Sequence, residues 1–163
     1  MNILILSLYF LLASSIAHAV EYQGWIPLLP ENIGGLEKSG EPSGMNMEQG
    51  GEAWSVLEQH YTDHNGSRLE LRIVSGSTSP GMKAFESMKK FRVETPEKEV
   101  KTLKVSGYKA VLDLNKKGGK SNLLIPVHDE TIVIISTDSF GSQEDIASLA
   151  GDVPLSDIAD SIE

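Results

Sequence analysis

Three stretches of this chain carry side chains able to do chemistry. Met45 and Met47 stand one residue apart in SGMNMEQGGE, residues 43–52, among glycines and polar residues. His60-Tyr61-Thr62-Asp63-His64 places two imidazoles and a carboxylate within one short segment, and His128-Asp129-Glu130 repeats those residue types farther on. Thioether sulfur favours Cu(I), and imidazole with carboxylate suits zinc or copper. The metal reading therefore rests on Met45, Met47, His60 and His64, with Cu as the cofactor such a set would take. Against it, flexible thioethers equally well fill irregular gaps. A His-x-x-x-His pair shares one face on a helix, whereas this one falls on a strand and its loop. Without that set, no cofactor is expected.

Catalytic patterns are thinner still. There is no Gly-x-Ser-x-Gly elbow, and Gly118-Gly119-Lys120-Ser121 lacks the earlier glycine of a phosphate loop. Asp129-Glu130 and Glu144-Asp145 fall in a turn and at a helix start, where solvated acids are ordinary. An uncharacterised hydrolase remains an alternative that only geometry can decide. Asn65-Gly66-Ser67 fits a glycosylation acceptor, relevant only in a host that glycosylates exported proteins.

Composition narrows where the protein works. Residues 3–16, ILILSLYFLLASSI, are apolar and lead into Ala17-His18-Ala19, the small-x-small pattern of a signal-peptidase site. Residues 1–19 are therefore expected to be a signal peptide, and the protein to be exported, periplasmic or secreted. The run is short for a bilayer span and no second one follows, so no stable membrane insertion is expected after cleavage. The absence of cysteine excludes disulfides, thiolate metal sites and cysteine catalysis.

The net charge is −9, which disfavours nucleic acid and anionic surfaces as partners. It is unevenly spread: residues 20–82 carry a net −6, 83–120 a net +6 and 121–163 a net −9. The basic middle is expected to lie against the acidic ends or on solvated faces, or else to dock an acidic partner.

The elements that must position these residues follow from period and punctuation. Residues 20–51, rich in Gly, Pro, Ser and Glu, read as an irregular N-terminal arm, and 52–163 as a single domain. AWSVLEQHYT, residues 53–62, and SRLELRIV, residues 67–74, form a hairpin whose three-residue loop His64-Asn65-Gly66 puts Gly66 in the left-handed conformation. That register pairs Tyr61 with Leu69 and Leu57 with Ile73 on the core side. It sets Glu58 beside Arg72 and His60 beside Glu70 on the other side. Trp54, Val56 and Val74 then share the outer face, an apolar patch in need of a cover or a partner.

SPGMKAFESMKKFR, residues 79–92, is an amphipathic helix with a serine cap and a proline at its first position. Strands near 100–105, 108–115, 121–127 and 131–137 make an antiparallel meander, with Ile132-Val133-Ile134-Ile135 central and Pro126 at a bulge. Ser142 caps a C-terminal helix, and a helical turn with Leu155, Ile158 and Ile162 follows. The fold class is α+β: an antiparallel sheet, hairpin plus meander, with one or two helices packed on it.

Val105-Ser106-Gly107-Tyr108-Lys109-Ala110 and the run from Ile135 to Ile162 resemble the PsbP-like fold group of small exported or lumenal domains. The resemblance implies a binding or assembly role rather than a reaction, and carries no functional residue across. The expected function is thus a non-catalytic accessory or binding protein of the bacterial envelope. It would dock an envelope protein or a small ligand through a sheet face, at Trp54, Val56, His60, Glu70 and Val74, or through its charge-segregated surface. Metal handling and hydrolysis are the alternatives.

Overall fold

The computed structural model describes residues 21–162. The expected leader, residues 1–19, lies outside them. Nine strands form one sheet: β1 (Asn32–Ile33), β2 (Leu36–Gln49), β3 (Glu52–Thr62), β4 (Arg68–Ser75), β5 (Val93–Glu94), β6 (Lys98–Val105), β7 (Tyr108–Asn115), β8 (Ser121–His128) and β9 (Thr131–Thr137). Their spatial order is β1-β2-β3-β4-β9-β8-β7-β6-β5, and every neighbouring pair is antiparallel. Three helices complete the fold, α1 (Pro80–Met88), α2 (Gln143–Leu149) and α3 (Leu155–Asp160). Sheet with a few helices is the class expected from the sequence, and no described helix is long and apolar enough to cross a membrane.

The hairpin register is the one that keeps both faces chemically uniform. Leu57 pairs with Ile73, Tyr61 with Leu69, Glu58 with Arg72 and His60 with Glu70. At the tip Asp63 N donates to the Ser67 carbonyl, and Gly66 takes φ +84°, a left-handed conformation that costs glycine little. Pro126 does mark a register shift against β9. All seven residues of β9 are buried, as expected of a central strand. The Ser106-Gly107 turn between β6 and β7 has φ +48° and +88°, the left-handed pair that suits a two-residue hairpin.

The region expected to be an irregular arm is different. Residues 36–49 are β2, paired with β3 along most of its length and part of the same sheet as the rest. Its Gly, Ser, Pro and Asn are poor strand formers. A complete ladder offered by β3 overrides that propensity. The one interruption lies between Ser39 and Ser43, where Pro42 has no N–H to give. The fully buried Gln59 fills it, its Nε2 donating to the carbonyls of Ser39, Gly40 and His60 at 3.4, 3.3 and 2.9 Å.

The two faces of the sheet are covered unequally. On the inner face Leu57, Tyr61, Leu71, Ile73, Leu112, Leu123, Ile125, Val133 and Ile135 form one core with Trp25, Ile33, Ile146, Leu149 and Ile158. A 3-10 helix at Tyr22–Leu28 supplies Trp25, and α2 and α3 supply the last three. Ser142 Oγ accepts from Asp145 N at the start of α2, the cap expected there. Tyr61 Oη donates to the Pro30 carbonyl at 2.9 Å, and burial, helped by the Glu31 charge, pushes its ionisation far up.

On the outer face a smaller core joins Val74, Val111, Leu124, Ile132 and Ile134 to Met82 and Phe85 of α1. Ser79 Oγ accepts from Met82 N, and Pro80 opens the helix. Gly81 lets α1 settle closely, because a Cβ there would lie 3.0 Å from Ile132 Cγ2. Burying Met82 and Phe85 contributes about 1.5–3 kcal/mol each. That is modest support for one face of a sheet this wide.

The acids of the basic middle are paired locally, and its net +6 remains. Lys98 pairs with Asp113, Lys101 and Lys116 with Glu99, and Lys117 with Glu97. These pairs form within and around the β6–β7 hairpin rather than against the acidic ends. Lys120, which reaches Glu70, is the exception.

Candidate functional site

Side chains alternate across a strand, so the register fixes who shares the outer face. One row runs Met45, Val56, Val74, Ile132 across β2, β3, β4 and β9. The next runs Glu58, Arg72, Ile134, Leu124, and the one after it His60, Glu70, Ser136, Asn122, Asp113. The face thus grades from apolar at one end to polar at the other. α1 packs chiefly on β8 and β9, leaving Trp54 and Val56 of β3 half-buried and Met45 of β2 exposed.

Between the helix and strands β2 and β3 lies a groove of about 430 Å³. Met45, Trp54 and Val56 form one wall, Ala84 and Met88 of α1 the other, and Val74, Leu124 and Ile134 the floor. Arg72, Asp113 and Asn122 close its polar end. Each of these is held in place. Arg72 Nε lies 2.8 Å from Glu70 Oε1, buried and outside hydrogen-bond geometry, so the contact is charge attraction. Lys98 Nζ lies 2.9 Å from Asp113, and Asn122 Oδ1 accepts from Ser136 Oγ at 2.8 Å.

The stretch at 43–47 builds the groove's outer wall by alternation. Met45 and Met47 point to the outer face, 49% and 38% exposed. Gly44 and Asn46 point inward. Asn46 Oδ1 accepts from Tyr22 N at 3.0 Å, and its Nδ2 donates to Gln23 Oε1. At Gly44 a Cβ would lie 2.3 Å from the Tyr22 ring. The same residues therefore hold the 3-10 helix on one face and present thioethers on the other.

A second cavity, of about 390 Å³, opens at the polar end between His60, Glu70, Arg68, Lys120, Ser136 and Asp138. It has an imidazole, an acid and a hydroxyl, the parts a hydrolase would need. Yet Ser136 Oγ gives its proton to Asn122, and Thr137 Oγ1 donates to the Arg68 carbonyl. His60 Nε2 meets Glu58 Oε1 at 3.1 Å instead. No nucleophile-base pair forms from these groups.

Trp54 and Val56 are half-buried groove residues, as their outer-face register implies. Val74, expected to share an exposed patch, is buried at 4% exposure because α1 covers it. His60 and Glu70 do stand beside each other, though in the polar row. The copper set is not assembled. Met45 lies opposite Val56, four residues and about 13 Å along the strand from His60. His64 sits farther away still, in the hairpin turn.

Asp113 and Asn122, and Arg72 and Met88 as groove residues, are not among the site residues expected from the sequence. The period-2 spacing of Met45 and Met47 was a strand signal, and Ala84 with Met88 at i, i+4 marked a helix face. Nothing local announces the three polar groups, which converge only through strand order. Comparison with known protein families, with curated proteins and with solved structures finds no match to this chain.

Proposed function

We propose that this protein is a non-catalytic binding protein of the bacterial envelope, exported by its leader, that holds a small, mostly apolar ligand with one polar end. The observation that carries this reading is the groove. Its volume of about 430 Å³ lies in the range of small-molecule sites, and it combines apolar walls with a few convergent polar groups. The ligand's apolar body lies between Trp54, Met45 and Met88, and its polar end meets Arg72, Asp113 and Asn122. Methionines on both walls suit a ligand of variable shape, since thioether side chains repack readily. The PsbP-like motif and the Ala17-His18-Ala19 pattern point the same way, to an exported accessory role.

A solvatochromic apolar dye such as anilinonaphthalene sulfonate tests the site. Dye fluorescence should rise on binding, and Ala84→Trp, which fills the groove from its half-buried helix wall, should abolish the rise. Retained dye binding in that variant would sink the reading. The chain has only two tryptophans, and Trp25 is buried on the far side of the sheet. A ligand from an envelope extract should therefore quench Trp54 alone, a response lost in Trp54→Phe.

A further inference from the structure

We propose that Glu58, His60 and Glu70 form a site for one divalent transition-metal ion, of which Zn²⁺ is the best fit. The site stands apart from the groove reading and does not rest on it. One ligand atom from each of the three side chains lies within 4.8 Å of the other two. His60 Nε2 and Glu58 Oε1 are 3.1 Å apart. Two donors bound to one zinc at about 2.0–2.2 Å, in tetrahedral array, stand about 3.3–3.5 Å from each other. The pair thus needs only a few tenths of an ångström to share an ion.

Glu70 completes the set from the next strand. Arg72 and Lys120 both contact its Oε1, at 2.8 and 3.5 Å. Its Oε2 is the oxygen free to turn to the ion, while the two cations hold the carboxylate from behind. Outer partners of this kind fix a ligating carboxylate's orientation. All three ligands project from paired strands, whose backbones are rigid and whose register is set by a tight turn.

The donor set narrows the ion to a divalent transition metal. One imidazole with two carboxylates is too nitrogen-rich for a calcium site and offers no sulfur for Cu(I). Two carboxylates attract a divalent cation, and with Arg72 and Lys120 behind Glu70 the loaded site is net positive. His60 and Glu70 line the 390 Å³ cavity, so a fourth coordination position faces it. Arg68 and Lys120 border the same space, and an anionic group bound to the metal would meet them there.

Calorimetric titration of the full chain with Zn²⁺ at neutral pH tests the site, with Co²⁺ absorption reporting coordination. One ion per chain is expected. Glu70→Gln should weaken it by about tenfold or more, and His60→Ala should remove it. Met45→Leu with Met47→Leu, and His64→Ala, should leave it unchanged, which separates this site from a thioether copper site. In the unmodified protein, Co²⁺ should shift the His60 imidazole resonances far more than those of His128, so the test survives any variant that fails to fold. Absence of stoichiometric binding, binding retained in His60→Ala, or Co²⁺ shifts centred on another histidine would each overturn the proposal.

Discussion

The inner face of the sheet is closed by three separate pieces of chain, the 3-10 helix at Tyr22–Leu28, α2 and α3, whereas the outer face has only the nine residues of α1. The polar side chains of the inner face, Gln59 and small hydroxyls such as Ser55, Ser75 and Thr131, are buried, while the outer face grades from Met45 and Trp54 to Glu58, His60 and Glu70. The difference teaches how one sheet divides its work. The covered face supplies stability, and the under-covered face keeps concave space and unburied polar side chains in place for a ligand.

The two tryptophans test that division most sharply. Trp25 is fully buried in the inner core. Trp25→Ala should cost about 3–5 kcal/mol, enough to threaten folding in a chain of this size. Trp54 stands half-buried in the groove wall, and Trp54→Ala should cost well under half of that while abolishing dye binding. Denaturant unfolding of both variants gives the comparison. Equal losses would mean that the outer face is as structural as the inner one.

Gly44 links the faces, and its substitution should have a smaller effect. A Cβ at that position runs into the Tyr22 ring from the inner side, while Met45 beside it lines the groove from the outer side. Gly44→Ala should therefore destabilise by about 1–3 kcal/mol, as overpacking does. Tyr22 is only partly buried and can swing away, so the damage should stay local. Hydrogen exchange should show faster opening of residues 22–28 with β7 to β9 unchanged. Uniform loss of protection across the sheet would show that the 3-10 helix and the sheet unfold as one unit, and that the inner cover is not separable.

Legibility in the sequence followed the same line. The register of the hairpin at 53–74 was readable, because only the three-residue loop His64-Asn65-Gly66, and not a two-residue Asn65-Gly66 turn, made both faces consistent. The helix at Ser79-Pro80 and the buried run at 132–135 were readable for the same reason, since local and global signals coincide. β2 was not. Its Gly40-Glu41-Pro42 insertion, its glycines and its polar residues all spell loop, and only the ladder offered by β3 makes it a strand. The candidate site was half legible. The side-by-side placement of His60 and Glu70 follows from one hairpin, whereas Glu58 meeting His60, and Arg72, Asp113 and Asn122 lining one groove, depend on rotamers and strand order that no local pattern encodes.

The smallest expected effect concerns the turn that sets which residues share each face. Asp63 Oδ1 accepts from the backbone N–H of Ser67 and of Asn65, both at 2.8 Å. Those bonds, that from Ser67 foremost, hold its carboxyl below the usual carboxylate range. A depressed value in the folded state means that the ionised form stabilises the hairpin fully above the ordinary aspartate pKa. That contribution is lost as pH falls through the lower folded value. Glu99, lowered chiefly by its hydrogen bond with Lys101, loses its own contribution in the same direction, so the raw acid profile mixes the two. Asp63→Asn separates them, because an amide oxygen still accepts both bonds but does not titrate. The melting temperature of the native protein minus that of Asp63→Asn should hold steady from neutral pH to about pH 5 and then decline toward about pH 2. Because the Asp63 carboxyl is open to solvent, the decline should be slight. A difference that is flat throughout, or that grows on acidification, would show that the turn's register is held by Gly66 and the cross-strand pairs alone.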